Sequence, residues 1–413
     1  MPRRAGSPRL RVSRLLSRRS AVRFQNYPTR GNTIHAIGIV LLALPLAAVV
    51  FVVFAVRTAL RAKPRVLVLA IDGEFAPFVH FMEVLRLEYS VDRKHDFVLL
   101  LSRHRHDTLS DMYEDILRIR LMWSTGLAVV LQQALLLQPT VVLALDFRTI
   151  PTLARLRTAD WNVIVPRGLE SLRDSLLESL GLRPDRFVAM AVYAAAYERQ
   201  RNQRFVQATN NLISIGAELV EGIDHLKRNN MEVVLLGSSD TERSHIPRQF
   251  LRLSDFGRLG GPEEVALASC CKYFWTDNVG AWWLTVPFGH PVLHTNYHHK
   301  TFSHPTLGRD MYVPRRYETL DGRGLSLREM IYREGSPHQA AKRGELRMFR
   351  NSPVEIVEAH TEMLERVNGT WTGTAVGRQR QERVMQLYLD HPGQYHPLLI
   401  PEAFLVRHEY LLD

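Results

Sequence analysis

The sequence predicts an α/β protein with two Rossmann-like domains behind an N-terminal membrane helix. Three observations predict it. An uncharged apolar run of 21 residues, AIGIVLLALPLAAVVFVVFAV, occupies 36–56. Continuous apolar segments of strand length then alternate with helical patterns over 63–160. After a polar, proline-bearing stretch at 160–185 the same alternation restarts. The organisation expected is an Arg-rich tail (1–35), the membrane helix (36–56), one Rossmann-like domain (63–160), a second (185–350), and C-terminal helices (351–413) packing near the seam between the two.

At about 1.5 Å per residue, 21 helical residues span roughly 30 Å, the hydrocarbon thickness of a bilayer. A cleaved signal peptide fits less well, because the apolar region is long and no small-x-small site clearly follows it. A transit peptide over 1–34 is an alternative, and Pro45 permits a kinked segment that enters one leaflet and returns. Nine arginines precede the run and Arg57, Arg61, Lys63 and Arg65 follow it. Positive-inside counting keeps the N-terminus cytoplasmic, while the doubly basic flanks also fit a monotopic anchor with both ends cytoplasmic.

The formal charge of +11 suggests a nucleic-acid binder and misleads. Residues 1–65 hold twelve arginines and one lysine without a single acid, which leaves 40 basic against 42 acidic side chains elsewhere, a formal −2. A near-neutral body lacks the excess of cations a phosphate backbone calls for, so nucleic acid is disfavoured as a partner and none is expected. The two cysteines, Cys270 and Cys271, are adjacent and cannot staple distant segments, which points to a reducing compartment. Asn368-Gly369-Thr370 would be a glycosylation site only in a secretory lumen.

In chain order, 65–71 (RVLVLAI) reads as a buried parallel strand ending at Asp72-Gly73, followed by a helix over 77–89. A second strand is expected at 96–102, a helix over 111–138, and a third strand at 140–145. A linking helix at 169–180 precedes the second half. There, strands are expected at 186–193 and 231–237, helices at 212–229 and 262–271, and a further strand ends at Trp275. Glu263 and Glu264 stand in the first turn of the 262–271 helix, where its dipole favours them.

The most informative stretch runs from Lys272 to Tyr297, KYFWTDNVGAWWLTVPFGHPVLHTNY. A strand leads into the small polar turn Thr276-Asp277-Asn278-Val279-Gly280, then a short apolar helix at 281–286 stopped by Pro287 and Gly289, then the next strand. A strand, a glycine-bearing turn and a helix N-terminus make an anion pocket, because free backbone N–H groups point at whatever sits there. The plainer alternative is an ordinary connection in which Asp277 and Asn278 cap the helix.

From 160 to about 393 the order of features resembles a family of bacterial GT-B-like glycosyltransferases found with surface-carbohydrate gene clusters. The shared track runs through Phe187-Val188, Ile223-Asp224-His225-Leu226, Leu236-Gly237, Cys270-Cys271, Asp277-Asn278-Val279-Gly280 and Pro287-Phe288-Gly289-His290-Pro291 to Asn296-Tyr297. It continues through Tyr312-Val313-Pro314-Arg315, the segment 325–331 and the late helix 355–368 with Glu362-Met363. The N-terminal half fits through Gly73-Glu74 and 111–120. One departure stands out: the family's Arg-Asp pair is replaced by Tyr193-Ala194-Ala195-Ala196-Tyr197, and the lysine after Tyr-x-Pro by Arg315.

The resemblance implies hexosyl transfer from a nucleotide-sugar to a glycan or lipid-linked acceptor at the membrane lipid surface. Donor supply favours the cytoplasmic side. It makes 63–160 the acceptor domain and 185–350 the donor domain. It also implies a phosphate clamp built from helix N-termini and cations rather than a chelated metal, so no cofactor and no metal ligands are expected. The donor-binding candidates are Gly237 and Ser238 after one strand, Thr276, Asp277, Asn278 and Gly280 after another, and Arg315 as the phosphate-facing cation. Asp72 and Glu74, right after the first strand, are the catalytic candidates for the acceptor hydroxyl, although Asp72-Gly73 also reads as turn chemistry.

His294, His298, His299 and His304 lack the spacing of a metal site. His80 reads as a satisfied helix residue, and Trp282-Trp283 as core rather than a sugar platform. Two alternatives stay open: another GT-B-like carbohydrate enzyme such as an epimerase or pyruvyl transferase, and a degenerate, non-catalytic scaffold of a polysaccharide assembly complex, which the alanines at 194–196 favour.

Overall fold

The structure, a computed structural model, describes residues 66–70, 79, 82–83, 86, 97–101, 108–109, 111–113, 120–123, 167–192, 217–236, 251–252, 261–277, 280–297, 309–390 and 399–413. All of these belong to one compact unit, Lys63–Ser124 with Pro139–Asp413. The expected tail and membrane helix, 1–56, lie outside the described residues. Among the described residues no helix is long and apolar enough to cross a membrane.

In the amino-terminal part, β1 (Val66–Ala70), β2 (Phe97–Leu101) and β3 (Arg120–Trp123) form a parallel sheet in that order, with Val66 level with Phe97 and Phe97 with Arg120. β3 corrects the sequence reading, which placed a helix through 111–138. A short apolar run such as Leu121-Met122-Trp123 carries no period that separates helix from strand, and pairing with β2 decides it. The strand expected at 140–145 lies outside the described residues. Beside this sheet, Tyr113 Oη donates to Glu83 Oε1 at 2.8 Å and Arg86 Nε donates to Glu83 Oε2 at 2.9 Å. Burial raises the pKa of Glu83 against the pull of Arg86.

The larger sheet comprises β4 (Phe187–Val192), β5 (Glu232–Leu235), β6 (Leu251–Arg252), β7 (Tyr273–Asp277), β8 (Val292–Tyr297) and β9 (Met311–Pro314). Its order is β6-β5-β4-β7-β8-β9, parallel throughout. The chain starts at the centre, moves outward through β5 and β6, and returns to the far side of β4. That is the doubly wound order, with its switch point between β4 and β7.

Helices α1 (Arg167–Leu180), α2 (Ala217–Arg228) and α3 (Pro262–Ala268) connect the strands, with α3 packed on α1. After β9 come β10 (Arg316–Glu318), α4 (Leu327–Tyr332), α5 (Pro337–Lys342) and β11 (Arg347–Phe349), where β10 and β11 pair antiparallel. The chain ends in α6 (Pro353–Val367), α7 (Ala375–Leu389) and α8 (Glu402–Arg407). The C-terminal helices are built onto the larger sheet: α6 packs on α2, β8 and β9, and α8 packs on α6 and α7.

Capping boxes start α4 and α6. Ser326 and Ser352 accept from the amides of Glu329 and Glu355, whose carboxylates return to the serine amides. Glu355, buried, is also paired with His408 and lies 3.7 Å from Arg316, which ties the start of α6 to the chain end and to β10. Both cysteine thiols are buried, and burial pushes Cys270 up to about 12 and Cys271 higher, so neither is a nucleophile.

One contact binds the helical layer to the sheet. His360 of α6 is fully buried, with Nδ1 2.6 Å from Tyr273 Oη and its ring edge-on to Trp275 at 4.3 Å. Gly222 of α2 lies against the same residues. A Cβ there would stand 2.8 Å from Ile356 Cγ2 and 3.0 Å from Trp275 Cη2. Gly222→Ala should therefore destabilise the protein by about 1–2 kcal/mol, overpacking outweighing the gain in helix propensity of about 1 kcal/mol. Chemical denaturation checks this, and an unchanged or raised midpoint would contradict it.

Burial, and secondarily the charge of His225, lowers the pKa of His360 to about 3 from an ordinary value near 6.5. Between those values the unfolded chain binds the extra proton. The stability is thus complete above the unfolded pKa and is lost as pH falls toward 3. The wild-type protein should lose about 1.4 kcal/mol per pH unit more than His360→Gln between pH 5.5 and 4. Urea unfolding of both proteins at each pH tests this, and parallel stability curves would contradict it.

Candidate functional site

Strand register sets the site. Val192 of β4 lies level with Asp277 of β7, so these two strands finish together at the carboxyl edge of the larger sheet, and Asp277 lies level with Thr295 of β8, two residues before that strand ends. From there β4 connects toward β5 and β7 toward β8, in opposite directions. That divergence opens the crevice in which open α/β sheets hold ligands.

The sequence reading placed Thr276 and Asp277 in the turn. They are instead the last residues of β7. Thr276 is buried, and its carbonyl accepts from Thr295 Oγ1 at 3.4 Å, while Trp275 Nε1 donates to Thr295 Oγ1 at 2.9 Å. β-branched and aromatic residues packed between neighbouring strands extend the ladder, which shortens the turn to what lies between Asp277 and Gly280. The helix expected at 281–286 is also different. The chain forms two 3-10 segments, Gly280–Leu284 and Val286–Phe288. Pro287 has no N–H and its ring would clash with a carbonyl one α-turn back. Thr285 Oγ1 donates to Trp282 O at 2.8 Å, and Gly289 closes the second segment in the left-handed region at φ 68°. A five-residue 3-10 segment has little macrodipole, so anion binding here would rest on the first-turn N–H groups.

Beneath this rim lies an aromatic layer. Trp282 and Trp283 stack at 4.4 Å and are 2% and 4% exposed, which makes them core. His294, 1% exposed, lies parallel to Tyr312 at 4.3 Å and edge-on to Trp282 and Tyr297. Its surroundings are aromatic. Among the described residues no group of three His, Cys, Asp or Glu could hold a metal. His298, His299 and His304 lie outside the described residues.

Arg315 leaves the carboxyl end of β9 and is 3% exposed. Its Nε donates to Asn296 O at 2.9 Å, its amide donates to Tyr297 O at 2.9 Å, and Nη1 lies 3.4 Å from Met348 Sδ. Asn296, the penultimate residue of β8, is in the left-handed region at φ 49°. It exchanges hydrogen bonds with Asn351: the amide of Asn351 donates to Asn296 Oδ1 at 2.7 Å, and the amide of Asn296 donates to Asn351 Oδ1. Asn351 Nδ2 donates to Pro314 O at 3.0 Å. A buried clasp of Asn296, Asn351 and Arg315 therefore fixes the ends of β8 and β9. Sequence reasoning missed both asparagines in this role. The available signal was an asparagine at a strand end, since asparagine tolerates the left-handed region better than most residues.

Of the residues expected at the site, Asp72, Glu74, Gly237, Ser238 and Asn278 lie outside the described residues, and of Asp277 only the strand position is described. Of the described strands, β5 is separated from β7 by β4, and β9 by β8. At about 4.8 Å per strand, β5 and β9 stand roughly 19 Å apart along the sheet.

No family model and no curated protein matches the chain. Among solved structures it is similar to a glycosyl transferase family 9 protein from Veillonella parvula, at 13% identity and a TM-score of 0.43, over 74% of this chain and 99% of that one. It is similar to the ADP-heptose LPS heptosyltransferase II of E. coli, at 13% identity and a TM-score of 0.37, over 74% of this chain and 99% of that one. It is also similar to the dodecameric iron-containing heptosyltransferase TibC, solved with ADP-D-beta-D-heptose, at 15% identity and a TM-score of 0.32, over 56% of this chain and 58% of that one.

Proposed function

We propose that the chain is a glycosyltransferase that moves a sugar from a nucleotide-sugar to a surface-glycan or lipid-linked acceptor. The observation that carries this reading is the coincidence of two independent facts. The segment 277–280, which bears the sequence resemblance to GT-B-like transferases, begins at the strand end that forms the topological switch point of the larger sheet. A ligand-binding crevice is expected there on topology alone.

In this reading the backbone N–H groups before and within the Gly280 turn hold the diphosphate. Gly280 lets the backbone approach closely, because a Cβ would intervene. As the bond from the sugar to the diphosphate breaks, negative charge grows on the leaving phosphate, and the same N–H groups offset it. The acceptor hydroxyl attacks the anomeric carbon and gives its proton to Asp72 or Glu74, which follow the carboxyl end of β1. Gly237 and Ser238 take one end of the donor and Arg315 the other, in keeping with the separation of β5 and β9 in the strand order. The clamp needs no metal ion or cofactor. Residues 36–56 anchor the protein in the membrane with the enzyme on the cytoplasmic side, where nucleotide-sugars are made.

One observation favours the scaffold reading instead: the guanidinium of Arg315 is committed to Asn296 and Met348, and the sequence replaces the family's Arg-Asp pair with the alanines at 194–196. Calorimetric titration with UDP-, GDP-, ADP- and CMP-sugars separates the two. Gly280→Val should abolish nucleotide binding with little change in melting temperature. Arg315→Ala should weaken binding by about 1.5–3 kcal/mol, the scale of a charge-assisted hydrogen bond. Unchanged affinity in both variants would move the donor site elsewhere, and a wild-type protein that binds no nucleotide would leave the scaffold.

Deleting residues 1–62 should release a soluble protein if 36–56 is the anchor. Recovery of the truncated protein in the membrane fraction after a high-salt wash would contradict that.

A further inference from the structure

A second concave site lies at the opposite, amino edge of the larger sheet. It is a pocket of about 430 Å³, within the range of small-molecule sites. It forms where the chain enters four strands: Asp185 precedes β4, Lys272 precedes β7, His290 precedes β8 and Arg309 precedes β9. Arg366 and Trp371, from the end of α6 and the turn after it, complete it.

These entry points are fixed by the backbone. The amide of Lys272 donates to Phe187 O at 2.9 Å, the amide of Asp185 to Cys270 O at 3.2 Å, and the amide of Val292 to Asp310 Oδ1 at 2.9 Å. Asp185 itself is held in the left-handed region at φ 58°. The wall is therefore preformed.

Its charge is unbalanced. Three cations line it against one carboxylate, Asp185. Arg366 is already neutralised by Glu362 at 2.7 Å and lies over the Trp371 ring at 4.9 Å. Arg309 spends one Nη2 on the carbonyl of Gly289 at 2.5 Å and has no carboxylate partner among the described residues. Lys272, half-buried, makes no side-chain ion pair among the described residues. His290 donates from Nε2 to Ser269 O at 2.9 Å, and burial lowers its pKa, favouring the neutral ring, whose Nδ1 accepts. Convergent cations in a concave wall focus positive potential.

We infer that this pocket is an anion site, separate from the carboxyl-edge crevice, which binds a phosphate group through Lys272 and Arg309, with His290 and Asp185 accepting from hydroxyls beside it. The ligand chemistry is a phosphate on a hydroxylated carrier, either a soluble sugar phosphate or a phospholipid headgroup. The site does not depend on the transferase reading, because it uses the other edge of the sheet.

The test is calorimetric titration of the full chain in detergent with inorganic phosphate at low salt. Saturable binding is expected in the wild-type protein. It should weaken about tenfold in Lys272→Gln, the loss of one charge-assisted contact, and further in Lys272→Glu. Lys272→Arg should recover most of it, and the Lys272-dependent part of the binding should persist in Gly280→Val, whatever that variant loses at the donor turn. Competition by glucose 6-phosphate would identify the soluble carrier, and competition by dihexanoyl phosphatidylglycerol below its micelle concentration the lipid one. No phosphate binding in the wild type, equal affinity in Lys272→Glu, or loss in Gly280→Val alone would overturn the inference. The last result would place the phosphate at the opposite edge. A chain that binds phosphate in this way and no nucleotide would retain this site while losing the proposed transferase function.

Discussion

The parallel pairing of β4 with β7 is the constraint on which the rest of the larger domain depends. Val188 to Val192 lie level with Tyr273 to Asp277, although more than eighty residues separate them in sequence. This one pairing closes the long excursion through β5, α2 and β6, and it places the second half of the sheet on the free side of β4. Loop closure over such a separation is entropically costly and must be offset by burial. The residues that meet there, among them Val188, Met190, Tyr273 and Trp275, are fully buried. The same pairing creates an edge at each end of the sheet, one a crevice between diverging connections and the other the cationic pocket.

Burial on this scale brings polar groups with it, and the chain satisfies most of them in pairs. Trp275 donates to Thr295, Tyr273 meets His360, Asn296 and Asn351 exchange hydrogen bonds, and Glu355 is paired with His408. Each pair joins segments far apart in sequence, so each fixes register as well as satisfying a polar group. His360 is the exposed flank of this scheme in terms of pH, because its Nε2 is buried without a hydrogen-bond partner in the described residues and the ring is held neutral. The helical layer stays close enough for these contacts only because Gly222 presents no side chain to Trp275 and Ile356.

The two edges differ in chemistry. At the carboxyl edge the cation Arg315 is turned inward to secure the β8 and β9 ends. At the amino edge the cations Lys272 and Arg309 face a preformed cavity with too little negative charge to match them. A sheet whose strands share one direction concentrates its connections into two rims. Each rim then takes its character from the residues just outside the strands rather than from the strands themselves.

The sequence by itself determined the class of the protein. Continuous apolar runs such as VLVLA, FVLLL and FVAMAV, bounded by turn residues, read as buried strands, and their alternation with amphipathic segments makes a parallel α/β sheet the consistent arrangement. The two S-x-x-E capping boxes at 326–329 and 352–355 were open to the same kind of reading. Three things were decided only by tertiary structure. Arg120–Trp123 is a strand because β2 offers it a partner. Thr276 and Asp277 belong to β7 because β4 and β8 flank them on both sides. The separation of β5 from β9 follows from strand order, which no local pattern encodes. Local propensity acts over a turn or two, whereas pairing partners are chosen by burial across the whole chain. For that reason the elements were legible in the sequence, while their neighbours, and with them the width of the site and the existence of the pocket at the other edge, were not.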